Sequence, residues 1–158
     1  MRAKLAQLQL KDYRYHEVHL ISNETLMDDG DLPEVIEYIP DVEISGQNFE
    51  NGEFAVFLKT RIDDECVDNY DKSPYQINVE VSGLFKLPEI EDNEESELEW
   101  DNLKYLNAPA ILYSLTREKV NQLTANSIYG PVILPSINFV ETMESADSDK
   151  VDANNADK

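Results

Sequence analysis

Two segments near the middle of the chain alternate between apolar and polar residues. In residues 54–62 every second side chain is apolar or a threonine, and residues 75–85 repeat the pattern with one glycine. Side chains of a strand alternate between its two faces, so each segment predicts a strand with one buried face. The residues between the two segments include four aspartates, Asn69, Ser73 and Pro74, and these residue types favour turns. The pattern therefore predicts a long antiparallel hairpin.

Two further strands are predicted before this hairpin. The apolar residues of the first change twice between even and odd positions: Leu8, Leu10, Tyr13, Tyr15, Val18 and Leu20. Each change would turn the apolar side chains to the other face, so we expect bulges near Lys11 and near His16. A strand over residues 42–49 is followed by Asn51-Gly52, a tight-turn signal. Residues 28–40 between these strands are expected to form a crossover loop.

The spacing of apolar residues changes in the last third of the chain. From Pro109 onward, Ile111, Leu112, Leu115 and Leu123 form one apolar stripe, which is typical of an amphipathic helix. A shorter helix is predicted over residues 98–106. Strands followed by helices predict an α+β fold: a four-stranded antiparallel sheet with a crossover loop after strand 1 and two helices packed on one face.

Charge and composition exclude several classes of protein. The 158 residues include 33 acids and 13 bases, for a net charge of −20. This excess argues against binding to nucleic acid or to anionic membranes. No apolar run approaches the roughly 20 residues of a membrane helix, and no signal peptide is recognisable. A single cysteine, Cys66, cannot form an internal disulfide. We expect a cytoplasmic protein that does not insert into membranes.

The acidic residues are concentrated in two segments. Residues 89–101 contain eight acids and no base, and residues 141–158 contain six acids and two bases. The second segment has too few apolar residues to offset its ordering entropy. We therefore expect a single domain over residues 1–140 and an acidic disordered tail over 141–158. The run at 89–101 is either a solvated loop or a docking strip for a basic partner.

The sequence shows no convergent set of catalytic or metal-binding residues. His16 and His19 are three residues apart, which on a strand sends them to opposite faces. Neither a glycine-rich phosphate loop nor a His-Glu-x-x-His motif is present. The acids around Cys66 would raise the pKa of its thiol, which argues against a reactive thiolate. We expect no enzyme activity, no metal and no cofactor.

One stretch is more specific than these patterns. Residues 107–120 read Asn-Ala-Pro-Ala-Ile-Leu-Tyr-Ser-Leu-Thr-Arg-Glu-Lys-Val, and residues 130–139 read Gly-Pro-Val-Ile-Leu-Pro-Ser-Ile-Asn-Phe. This resembles the C-terminal signature of the SecB protein-export chaperone family. The matching residues are Pro109, Ile111, Leu112, Arg117, Glu118, Gly130, Pro135, Asn138 and Phe139. The Gly83-Leu84-Phe85 segment is similar to the end of the family's last strand. The resemblance extends over roughly residues 7–140.

The resemblance implies an ATP-independent chaperone, or holdase, that binds unfolded or preprotein segments and hands them on for protein export. It also implies a homo-oligomer, a dimer of dimers with an eight-stranded sheet per dimer. Apolar grooves between sheet, crossover loop and helices would hold the client. The acidic sheet surface and the tail would bind the motor ATPase SecA. The alternatives are a chaperone of a toxin–antitoxin system, which protects an antitoxin, or an acidic adaptor for one basic protein.

Candidate site residues follow from these expectations. We predict a client-binding set consisting of Val35, Ile36, Tyr38, Ile39, Tyr105, Leu112, Tyr113 and Val120. For Leu112 the alternative is a plain core position. Partner docking is predicted at Glu17 on the sheet surface and at Glu91, Glu94 and Glu95 in the acidic run. Asn78 occupies a position where the family carries a glutamate on its last strand.

Overall fold

The structure, a computed structural model, describes residues 8–24, 26, 38–49, 52–63, 73–87 and 100–141. Four strands are present: β1 (Gln9–Ser22), β2 (Asp41–Asn48), β3 (Glu53–Ile62) and β4 (Tyr75–Lys86). They form one antiparallel sheet in the order β1-β4-β3-β2, which leaves β1 and β2 at the edges. A helix, α1 (Ala108–Thr124), follows the strands. The predicted α+β architecture is confirmed.

The alternation in the sequence corresponds to the two faces of the sheet. Inner-face residues of β3 and β4 are buried, and the paired residues Leu58 and Val81 are both 0% exposed. Phe54 and Phe85, also paired, stack with ring centroids 5.5 Å apart. These side chains form the centre of the core because α1 packs on the same face.

Both expected irregularities of β1 are present. The pairing of β1 with β4 skips Lys11, between Leu10 and Asp12, and skips His16, between Tyr15 and Glu17. Each extra residue lets the apolar side chains on either side of it reach the same face. The change of parity in the sequence was therefore a correct signal of two bulges.

The two expected helices form one continuous helical run. Residues 100–102 are helical, Leu103–Asn107 form a π-helical turn, and α1 begins at Ala108. Asn107 keeps helical angles (φ −78°, ψ −41°), so nothing separates the two parts. The Ala108 N–H donates to the Leu103 carbonyl, five residues back, directly before Pro109. Pro109 lacks an N–H, and a proline is tolerated at the start of an α-helical segment.

The buried face of α1 differs from the apolar stripe read from the sequence. Tyr113, Thr116 and Val120 are at most 3% exposed, whereas Leu123 is 38% exposed. The reason is that α1 is covered on two sides, by the sheet and by the extended residues 131–138. Tyr113 donates its hydroxyl to the Pro135 carbonyl at 2.9 Å, which joins the helix to this extended stretch.

Candidate binding groove

An open groove lies where the inner faces of β2 and β3 meet the π-helical turn. Its empty volume is about 500 Å³, part of it open solvent. The groove is lined by Ile44, Ser45, Gly46, Gln47, Asn48, Phe54, Ala55, Val56, Lys104 and Tyr105. Since α1 packs mainly on β3 and β4, the second half of β2 is left uncovered, and residues 45–48 are exposed.

Gly46 keeps the floor of the groove open. It pairs with Val56, and its position in the alternation places it on the inner face. Its φ is not positive, and an added Cβ would meet only the Ala55 carbonyl oxygen, at an ordinary contact distance of 3.5 Å. Neither backbone strain nor packing within the chain therefore requires glycine here. A larger side chain would fill the groove.

The π-helical turn supplies the wall opposite β2. Tyr105 is 45% exposed and borders the groove. The Lys104 ammonium lies 5.6 Å from the centroid of the Phe54 ring and 5.3 Å from that of Trp100, which are cation–π distances. The wall thus combines one aromatic side chain with one positive charge.

The free edge of β2 borders the same groove. Within the described strands, β2 pairs only with β3. Alternate backbone N–H and C=O groups of an edge strand point outward, where they can pair with an added extended segment. The site can therefore offer apolar contacts and backbone hydrogen bonds to one extended chain.

Comparison with known proteins decides the family. A family model described as preprotein translocase subunit SecB matches residues 22–149. This chain belongs to the SecB family. Members of the SecB family are chaperones, so the prediction that the chain is not an enzyme is confirmed by family membership.

Three individual proteins are similar to this chain. An uncharacterized protein of Methanocaldococcus jannaschii is 29% identical over 156 residues, which covers 96% of this chain and 90% of the relative. A SecB-like chaperone of Mycobacterium tuberculosis, solved in complex with a ChAD peptide from the HigA1 antitoxin, has a TM-score of 0.56 at 19% identity and covers 84% of this chain and 88% of its own. A protein of unknown function from Streptococcus agalactiae has a TM-score of 0.52 at 16% identity, with coverages of 81% and 96%. The two structures show the same fold.

The predicted client-binding residues of this SecB-family chain fall in different places. Tyr105 lies in the groove, and Ile39, just before β2, is 71% exposed. Tyr38 is half-buried and packs against the core, and burial raises the pKa of its hydroxyl to about 12. Val35 and Ile36 lie outside the described residues.

The other three predicted residues are part of the core in this chain. Leu112 is 0%, Val120 1% and Tyr113 3% exposed. For Leu112, this is the location expected under the core alternative. A client would reach these side chains only if the residues covering α1 moved, so their role in binding stays a prediction.

Sequence reasoning missed several residues that line the groove, including Ile44, Gly46 and Lys104. One signal was available, since a lone glycine within a strand often marks a close approach of another backbone. The contact of Lys104 with Trp100 joins residues four apart on one helical run, but its contact with Phe54 had no local signal because the fold brings these two residues together.

The outer face of the sheet holds the predicted docking residue Glu17. Its carboxylate accepts a hydrogen bond from the Asn78 side-chain amide at 2.9 Å. On the same face, Arg61 forms ion pairs with the carboxylates of Asp41, Glu43 and Asp63. The charges on this face are thus mixed. The other predicted docking residues, Glu91, Glu94 and Glu95, lie outside the described residues.

Two further features are absent from the described ranges. No three or more histidine, cysteine, aspartate or glutamate side chains in these ranges are grouped to hold a metal ion. Over the same residues, no helix combines the length and the hydropathy needed to cross a membrane.

Proposed function

We propose that this SecB-family chain is an ATP-independent holdase of the cytoplasm that binds extended, unfolded client segments beside β2. The observation that carries the proposal is the groove kept open by Gly46 along an unpaired strand edge. An unfolded client has no fixed shape, so recognition must rest on apolar burial and backbone hydrogen bonds. The groove and the β2 edge offer these two interactions side by side.

The expected energetics favour weak binding at each groove. Burying about 400 Å² of apolar client surface at ~25 cal/mol/Å² contributes about 10 kcal/mol before any cost is counted. Ordering the client and the groove removes most of this gain. A dimer of dimers would present several grooves and recover affinity through effective concentration. Such binding needs no nucleotide and allows ready release.

The test is suppression of aggregation without ATP. Light scattering of a chemically unfolded model client should fall when the full-length protein is present at stoichiometric amounts. The Gly46→Val variant should lose most of this effect, because its side chain fills the groove. Glu43→Val is the matched control, since it adds the same side chain to the outer face of the same strand, outside the groove lining. Wild-type protein that leaves aggregation unchanged and has a monomeric mass would refute the holdase.

The proposed holdase would act in one of two processes, protein export or the protection of an antitoxin. Export through SecA would use the outer face of the sheet, where Asn78 replaces a family glutamate and donates to Glu17. The Arg61 guanidinium also offsets part of the negative charge of Asp41, Glu43 and Asp63 on this face. We therefore propose an antitoxin-type client as a second candidate, in line with the peptide bound by the SecB-like chaperone of M. tuberculosis.

The two processes predict different behaviour toward purified partners. An antitoxin client should resist proteolysis when the chaperone is added, and SecA should show no binding at physiological salt. Asn78→Glu restores the family's acidic residue and is the informative variant for SecA. Wild-type protein that binds SecA tightly would instead assign the chain to export.

A further inference from the structure

We propose that the groove prefers client segments that place a carboxylate beside Lys104. The inference rests on the proposed function, because it names the client chemistry of the same groove. The observations that carry it are the charges of the lining, the position of the Lys104 ammonium and the direction in which an added strand would point its side chains.

The lining has the opposite charge to the chain as a whole. The sequence has 33 acids against 13 bases, but among the described residues that line the groove Lys104 is charged and none is acidic. A cationic wall in an acidic protein attracts negative groups locally and leaves the rest of the surface repulsive to them. A client carboxylate in the groove therefore meets one positive charge and no acidic side chain among the lining residues.

Lys104 is held at this position by aromatic rings instead of by a carboxylate. Its ammonium lies 5.6 Å from the Phe54 ring centroid and 5.3 Å from the Trp100 ring centroid. It forms no ion pair with a described acid, whereas Arg61 on the opposite face contacts three carboxylates. Rings restrict the position of an ammonium group but leave its hydrogen-bond donors available.

The expected orientation of the client brings its side chains to Lys104. A segment paired with the free edge of β2 would continue the sheet, so every second side chain would point to the inner face. Those side chains would lie beside Ile44 and Gly46 on the inner face of β2 and toward Lys104 on the wall. An apolar residue followed two positions later by a glutamate or aspartate matches this lining.

The test compares three labelled peptides of nine residues, acetylated and amidated, that are apolar except for a central Glu, Gln or Lys. Binding to the full-length protein is followed by fluorescence anisotropy. Wild-type protein should bind the Glu peptide about two- to fivefold more tightly than the Gln peptide, as a partly exposed ion pair allows. The Lys peptide should bind most weakly, and the differences should shrink in high salt.

Variants assign the preference to one side chain. Lys104→Met keeps the apolar stem over Phe54 and should remove the preference, whereas Lys104→Arg should retain it. Lys59→Met is the matched control, because it removes one positive charge from the outer face, between Glu43 and Glu80. It should leave the preference unchanged.

Each contrary result has a separate meaning. Equal binding of the Glu and Gln peptides by wild-type protein overturns the inference and leaves the holdase intact. A preference that persists in Lys104→Met also overturns it. Binding of none of the three peptides overturns both the inference and the groove as the client site. Because the first comparison uses wild-type protein, it decides the matter even where Lys104→Met fails to fold.

Discussion

At the scale of single residues, Gly83 sets how closely α1 approaches the sheet. A Cβ at this position would lie 2.7 Å from a Phe85 ring carbon and 2.8 Å from a methyl carbon of Leu112. Both of these side chains are 0% exposed and have no free space to move into. The glycine is therefore required by packing, in contrast to Gly46.

This contrast gives a direct test. Gly83→Ala should lower the free energy of unfolding by about 1–3 kcal/mol, the usual cost of overpacking a core. Gly46→Ala, which meets only an ordinary contact, should change it by less than about 0.5 kcal/mol. Urea denaturation of the two variants measures both effects. Equal destabilisation would contradict the close packing of Leu112 on Gly83.

Two tyrosines with raised pKa values should make the folded state less stable at high pH. Burial raises the pKa of Tyr38 and of Tyr113 to about 12, from an ordinary value near 10. The folded state therefore retains these protons in a range where the unfolded state has lost them. Their contribution is full below about pH 10 and is lost as the pH rises toward 12.

Denaturation midpoints measured between pH 9 and 11.5 should accordingly fall with rising pH. Tyr113→Phe should make the decline shallower, because one of the two hydroxyl groups with a raised pKa is removed. Tyr13→Phe is the control, since Tyr13 is 45% exposed at the edge of the sheet. A decline of the same steepness in Tyr113→Phe would contradict the assignment.

At the scale of elements, hydrogen bonds from α1 side chains hold residues 131–138 extended. Arg117 donates its Nε–H to the Leu134 carbonyl at 2.8 Å. Thr124 accepts from the Val132 N–H and donates to the Val120 carbonyl, both at 2.8 Å. The backbone of this stretch has no strand partner among the described residues, so side chains satisfy several of its polar groups.

The Arg117→Met variant should therefore destabilise the chain by about 1.5–3 kcal/mol, the range for a hydrogen bond from a charged donor. Hydrogen exchange should also quicken in residues 131–138 before the sheet is affected. Gln122→Ala is the control, because among the described residues the Gln122 amide donates only to the exposed Glu118 carboxylate. Uniformly faster exchange in Arg117→Met would show that the stretch is not a separate unit.

At the scale of the whole molecule, the family assignment and the edge strand β1, which pairs only with β4 among the described strands, support self-association. We predict a mass of about four times the 18.1 kDa chain by native mass spectrometry. Binding between copies stabilises the folded state by mass action, so the melting temperature should rise with protein concentration. A concentration-independent melting temperature together with a monomeric mass would exclude the tetramer.

The salt dependence of binding distinguishes the proposed holdase from the alternative function, an acidic adaptor for one basic protein. Client binding through apolar contacts should persist from low to high salt, whereas docking of a basic partner to exposed acids should collapse, because charges are screened within about 10 Å at 0.1 M. A titration of the unfolded client at two ionic strengths measures the difference. Binding that disappears at high salt would favour the adaptor.

The sequence alone determined the local features of this protein. The alternation in β3 and β4, the parity changes at Lys11 and His16 and the helix after Pro109 each follow from neighbouring residues. The signature at the end of the chain also sufficed to indicate the SecB family. Such features depend on the period of apolar residues and on backbone preferences, which act over a few positions.

Only the tertiary structure decided which surfaces are covered. Leu112, Tyr113 and Val120 were predicted to bind clients, with a plain core position as the alternative for Leu112, and the fold places all three in the core. The groove beside β2 joins residues more than 50 positions apart, with Gly46 on its floor and Lys104 on its wall. Burial depends on which distant elements pack together. The spacing of apolar residues in one segment carries no information about the element that packs on it.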